Sequence, residues 1–253
     1  MPAFVAVAES HYNRGRPGIG NRWGMQGERS PGESRGFALN GRGSQVDGAE
    51  MGELLALTTP GRSACVYCAS SRVCDPVYHE VARRLGVLLA TAGWTVVYGG
   101  GRTGSMGALA EGALGAGGRV VGIIPKFMRD LEWGHEQLSE LHVVEDMRTR
   151  KHEMLTRASA VIALAGGTGT LEELLEAMTL KRLGLFLGPI VLVNTQAYYA
   201  PLLAQLASAI DGRFMDDRHG NLWSVVTEPE AVLQAIETAP KWSPANRDFA
   251  VVR

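Results

Sequence analysis

Two adjacent carboxylates, Glu172 and Glu173, follow the run Gly166-Gly167-Thr168-Gly169-Thr170-Leu171, which itself follows the apolar stretch 160–164. Such a turn can hold a phosphate. Glycine lets backbone N–H groups face an anion without a Cβ in the way, and a helix starting there adds the positive end of its dipole. Carboxylates beside an anion cost repulsion, so these two point to chemistry on a phosphorylated ligand rather than capture alone. Upstream, Asp146-Met147-Arg148-Thr149-Arg150-Lys151-His152 sets two cations side by side at the start of a helical pattern. Alone, this run reads as a solvated charged face, since cations at a helix start oppose the dipole. The chain has four lysines, however, and one of them adjoins an arginine just before the strand that feeds the glycine turn. Arginine binds phosphate with a bidentate fork and lysine adds a compact point charge.

Two further motifs suggest chemistry that their surroundings do not support. Gly99-Gly100-Gly101-Arg102-Thr103-Gly104 spells G-x-G-x-x-G between a strand and a helix. In dinucleotide folds a carboxylate about 20 residues further on holds the ribose. Here the next strand ends in Ile124-Pro125-Lys126, so the glycines fit a mononucleotide or a tight turn better than NAD or FAD. Cys65-Val66-Tyr67-Cys68 is a C-x-x-C, but its cysteines fall in an apolar strand where residues three apart face opposite ways. No second pair completes a zinc site, and no metal is expected.

The elements that must position these residues alternate along the chain. Strands are expected at 64–69, 94–98, 119–124, 141–145, 160–164 and 189–193, and helices at 76–92, 105–116, 147–158, 170–183, 200–210 and 229–237. The strands are rich in Val and Ile without strict alternation, as strands covered on both faces are. The fold class is α/β: a Rossmann-like, doubly wound parallel sheet in a single domain, over residues 61–240. Ligands bind such sheets at the carboxyl ends of the strands, where loops 69–72, 99–104, 125–133 and 165–168 all fall. In the helix after the glycine turn, Leu171, Leu174, Leu175 and Met178 have core spacing, with Glu172, Glu173 and Glu176 off that stripe. Glu173 is then either a reactive carboxylate or the partner of Thr170 in a capping box.

Composition narrows the partners. With 25 basic and 26 acidic residues among 253, the net charge is -1, which gives no reason to expect nucleic acid. No apolar run approaches the roughly 18 residues that span a bilayer, and no amino-terminal leader pattern is seen, so no membrane partner and a cytoplasmic location are expected. Residues 1–60 are rich in glycine and arginine, with ten glycines, six arginines and no lysine in the first fifty. That segment reads as a disordered extension, or as sequence ahead of a true start at Met51, and residues 241–253 read as a tail.

Together these segments resemble the LONELY GUY family of cytokinin riboside 5'-monophosphate phosphoribohydrolases, often labelled lysine decarboxylase-like. The resemblance runs over residues 64–236 and rests on Val66-Tyr67-Cys68-Ala69-Ser70-Ser71, Val97-Tyr98-Gly99-Gly100-Gly101, Gly104-Ser105-Met106-Gly107, Gly122-Ile123-Ile124-Pro125-Lys126, Asp146-Met147-Arg148-Thr149-Arg150-Lys151 and Gly166-Gly167-Thr168-Gly169-Thr170-Leu171-Glu172-Glu173. It implies hydrolysis of the N-glycosidic bond of adenosine-type nucleoside 5'-monophosphates, with no cofactor and no metal, by a homodimer; the alternatives are a broader 5'-nucleotide nucleosidase and a non-catalytic nucleotide-binding or carrier protein that uses the same phosphate cradle. It makes Arg150 and Glu173 the catalytic pair, and Glu132, Lys151, Gly166, Gly167, Thr168, Gly169, Thr170, Glu172 and Thr179 substrate contacts. Ala165 stands where the family has proline, and Leu180 where it has tryptophan. The decarboxylase label does not fit the residues. Pyridoxal chemistry needs a Schiff-base lysine, and Lys126, Lys151, Lys181 and Lys241 lie in no recognisable pyridoxal site.

Overall fold

Short apolar runs, most of them rich in β-branched residues, line up as seven parallel strands. They are β1 (Ser63–Tyr67), β2 (Thr95–Tyr98), β3 (Val120–Pro125), β4 (Glu140–Val144), β5 (Ala160–Ala163), β6 (Ile190–Val193) and β7 (Ser224–Val226). Their order across the sheet is β4-β3-β2-β1-β5-β6-β7. The computed structural model describes residues 62–131 and 133–251; the extension expected over residues 1–60 lies outside the described residues, as does Glu132. Strands β1, β3, β5 and β6 are buried at every position, which is why they lack alternation. The edge strand β4 does alternate, with Leu141 and Val143 on its exposed side.

Helices cover both faces. On one, α1 (Pro76–Thr91) and α2 (Gly104–Gly115) set Leu85, Leu89 and Leu109 against Val66, Val96 and Ile162. A single turn, α3 (Lys126–Asp130), follows β3. On the other face α4 (Met147–Thr156), α5 (Thr168–Arg182) and α6 (Ala200–Asp211) set Met154, Leu174 and Leu206 against Cys65, Val97 and Val161. The last helix, α7 (Val232–Thr238), returns to the first face through Val232 and Ile236. Cys65 and Cys68 belong to the two opposite cores, as their spacing requires, and burial pushes both thiols upward. Among the described residues no helix is long and apolar enough to cross a membrane. Within residues 241–251, Trp242 is buried, with its ring 5.8 Å from that of Phe249.

Several expectations are corrected. Strand β7 and helix α3 are too short for a periodic signal, and 229–237 divides into a 3-10 turn (Pro229–Ala231) and α7. The most consequential difference is in α5, which begins at Thr168, capped by the backbone of Gly167 with no side-chain bond. Thr170 and Glu173 are therefore its third and sixth residues, so no capping box forms and the two carboxylates sit in the second turn. Its buried face is Thr170, Glu173, Leu174, Ala177, Met178 and Lys181, while Leu175 is 40% exposed. The helix is turned by about one position relative to its leucine stripe, because Thr170 lies against the turn and Glu173 finds a cation below it. A Cβ on Gly166 would fall 2.1 Å from the Thr170 hydroxyl, so only glycine permits this close start.

Candidate functional site

Strands β2 and β3 run outward from one side of β1, and β5 and β6 from the other. Loops leaving β1 and β5 therefore part in opposite directions and open a crevice at the carboxyl end of the sheet. A cavity of about 560 Å³ occupies this place. One wall is Gly167 to Thr170 at the start of α5, and another is the loop 70–72. The glycine loop after β2 closes a third side, tied to the first loop by Thr103 Oγ1 donating to the Ser70 carbonyl at 2.9 Å. Segment 133–135 pairs with that loop in turn: Arg102 N donates to Trp133 O at 3.0 Å and His135 N to Gly100 O at 2.9 Å. Trp133, Met106, Met128, Met147 and Met154 add an apolar lining.

Arg150 and Glu173 meet at the floor of this cavity. Arg150 is 7% exposed and Glu173 8%, and Arg150 Nη1 lies 3.5 Å from Glu173 Oε1. Arg150 is fixed from behind: its Nε donates to the Ile123 carbonyl at 3.1 Å and its Nη2 to the Gly99 carbonyl at 2.9 Å. The guanidinium passes so close to the backbone that a Cβ on Gly99 would lie 1.9 Å from Nη2. Asp146 caps α4, accepting from Thr149 N at 2.8 Å, and so sets the helix that presents Arg150. Burial pushes the Glu173 carboxyl up to about 7; Arg150 pulls it down, and Glu172 pushes it further up. A buried carboxyl that exchanges its proton near neutrality, beside a fixed cation, can act as a general base or stabilise developing positive charge.

The first N–H groups of α5, those of Thr168, Gly169 and Thr170, have no acceptor within the helix by its geometry, and their residues line the cavity. They can hold an anion. Of the residues expected at the site, Arg150, Glu173, Gly167, Thr168, Gly169, Thr170 and Glu172 come together around the cavity. Gly166 lies just behind it, under Thr170. Lys151 stands to one side, paired with Glu172 and, at 2.9 Å, with Glu176; these bonds raise its pKa. Thr179 is not on this cavity. Its hydroxyl donates to the Leu175 carbonyl at 2.8 Å, and it borders a separate notch of about 120 Å³ with Leu175, Arg182 and Leu206. The lining residues Ser70, Ser71, Arg72, Trp133 and the four methionines were not among the expected contacts. Ser70, Ser71, Met106 and Met147 stand in the motifs quoted for the resemblance, and Arg72, Met128 and Trp133 in loops that follow strands, but nothing in the pattern assigned any of them, or Met154, a place on the cavity.

The sheet order, the crevice at its reversal and the glycine turn at a helix start define a Rossmann-like α/β protein with a candidate site at the switch point. A family model described as "Possible lysine decarboxylase" matches residues 106–236. Cytokinin riboside 5'-monophosphate phosphoribohydrolase LOG of Oryza sativa subsp. japonica is 38% identical over 182 residues, 72% of this chain and 75% of that protein. The cytokinin riboside 5'-monophosphate phosphoribohydrolase of Rhodococcoides fascians is 40% identical over 184 residues, 72% of this chain and 92% of that one. Among solved structures, the structural-genomics target TM1055 superposes with a TM-score of 0.56 at 29% identity, covering 70% of this chain and 99% of that one. The molybdenum cofactor carrier protein of Chlamydomonas reinhardtii, at 20% identity and a TM-score of 0.54 over 71% of this chain and 98% of that one, shares the fold. The chain belongs to the LONELY GUY family of cytokinin riboside 5'-monophosphate phosphoribohydrolases.

Proposed function

We propose that this chain hydrolyses the N-glycosidic bond of purine nucleoside 5'-monophosphates, cytokinin-type or adenosine, releasing the free base and ribose 5-phosphate. The observation that carries the reading is the buried Arg150–Glu173 pair at the floor of a cavity whose wall is a helix start suited to an anion. The N–H groups of residues 167–170 and the Thr170 hydroxyl hold the 5'-phosphate. Holding this remote group fixes C1' and supplies binding energy for the transition state. The bond from C1' to the base nitrogen breaks, and the base leaves with the electron pair and takes up a proton. Glu173 stabilises the positive charge that grows on the ribose and accepts a proton from the water whose oxygen bonds to C1'. Arg150 keeps its proton and acts by charge and position. Lys151 orients Glu172, which borders the same cavity.

The test is incubation of the protein with AMP, isopentenyladenosine monophosphate and other 5'-nucleotides, following base and ribose 5-phosphate. Release from purine monophosphates is expected; release from none contradicts the enzyme reading. Equal release from pyrimidine nucleotides would support a broader 5'-nucleotide nucleosidase. Matching nucleosides are expected to react far more slowly. The working unit we propose is a homodimer in the cytoplasm. Its support is Thr179, which the family resemblance makes a substrate contact although it lies off its own chain's cavity, beside half-exposed Leu175 and Leu183. A second copy can bring Thr179 to the substrate, and a solution mass of one chain would contradict this. The three cysteines are free, as suits a reducing compartment.

A further inference from the structure

The turn after β6 is strained. Gln196 and Ala197 hold φ of 51° and 58°, a left-handed conformation that residues with a Cβ adopt at a cost. They directly precede Tyr198 and Tyr199. The Tyr199 hydroxyl donates to the Leu164 carbonyl at 2.6 Å, and the Tyr198 hydroxyl donates to the Gly166 carbonyl. These are the carbonyls on either side of Ala165. Tyr199 is fully buried, with its backbone N–H bonded to Asn194 Oδ1 at 2.7 Å. The rings of Tyr78 and Tyr198 meet edge to face at 5.9 Å, and those of Tyr198 and Tyr199 at 5.2 Å. Neither Tyr198 nor Tyr199 lines the cavity, so any influence on a ligand passes through the turn.

We propose that Tyr198 and Tyr199 are positioning residues that aim the N–H groups of the glycine turn at the substrate phosphate, stiffening by hydrogen bonds a turn in which Ala165 does not itself restrict the backbone. In a planar trans peptide, C=O and the following N–H point in opposite directions. Anchoring the Gly166 carbonyl on Tyr198 therefore fixes where the Gly167 N–H points, and Gly167 faces the cavity. Anchoring the Leu164 carbonyl on Tyr199 holds the strand end from which the turn departs. The strained residues ahead of the tyrosines are the cost of bringing two adjacent hydroxyls onto two carbonyls of the neighbouring loop.

This inference rests on the phosphate-cradle reading of the turn, and the test separates the two. Calorimetry gives the Kd for ribose 5-phosphate and for adenine in the wild type, in Tyr198→Phe and in Tyr198→Phe/Ala165→Pro. The phenylalanine keeps the ring packing and removes the hydroxyl. With one hydrogen bond lost, binding of ribose 5-phosphate is expected to weaken about tenfold while adenine binding stays unchanged. The added proline should restore most of the loss, which a general loosening of the fold would not allow. Unchanged ribose 5-phosphate binding in Tyr198→Phe overturns the clamp, as does equal weakening for both ligands without rescue. A wild type that fails to bind ribose 5-phosphate instead overturns the cradle itself.

Discussion

Glu173 is held between opposing forces: burial disfavours its charge, and Arg150 at 3.5 Å favours it. A base must be ionised to accept a proton, so kcat/KM for AMP should rise with pH through about 7. Arg150→Met removes the favourable charge; the rise should move to higher pH, with kcat at neutrality down about a hundredfold, read from the pH profile. Stability follows the same carboxyl with the opposite benefit. Its pKa in the folded chain is about 7 against an ordinary 4.5, so the folded state binds more protons, and that contribution is lost as pH rises through 7. Glu173→Gln stays neutral and should be more stable than the wild type above that pH, by on the order of 3 kcal/mol, with the difference shrinking as pH falls and little left at about pH 4. Thermal midpoints measured on both sides of neutrality check this.

At the scale of elements, Arg150 depends on a close passage between α4 and the loop after β2. Gly99→Ala would drive a methyl group into Nη2 and should cost about a hundredfold in kcat/KM through displaced Arg150. Gly115→Ala in α2 meets nothing within 4 Å and should raise stability by about 0.5 kcal/mol with activity unchanged, so the pair separates site geometry from helix propensity. The glycine turn, the Arg150-Lys151 run and the strand-loop-helix rhythm could all be read from sequence because each is local. What could not be read depended on neighbours distant in the chain. The rotation of α5 that buries Glu173 and exposes Leu175 depends on Arg150 lying beneath it, and a leucine stripe alone places the face one position away. Likewise Tyr198 and Tyr199 carry no motif; their meaning comes from β6 lying beside β5.

For the whole molecule, the parallel sheet brings loops from residues 70, 99, 133 and 167 to one rim, and the reversal between β1 and β5 makes room for a ligand. The sequence shows strands and helices but not their order across the sheet, and the crevice depends on that order. The proposed hydrolysis requires Glu173 to be the group that reacts rather than one that merely packs. The most direct measurement compares Glu173→Gln with the wild type for both AMP binding and AMP turnover. Near wild-type affinity is expected, with base release reduced at least about a thousandfold. Turnover within a few-fold of wild type, or affinity lost in step with turnover, would contradict it.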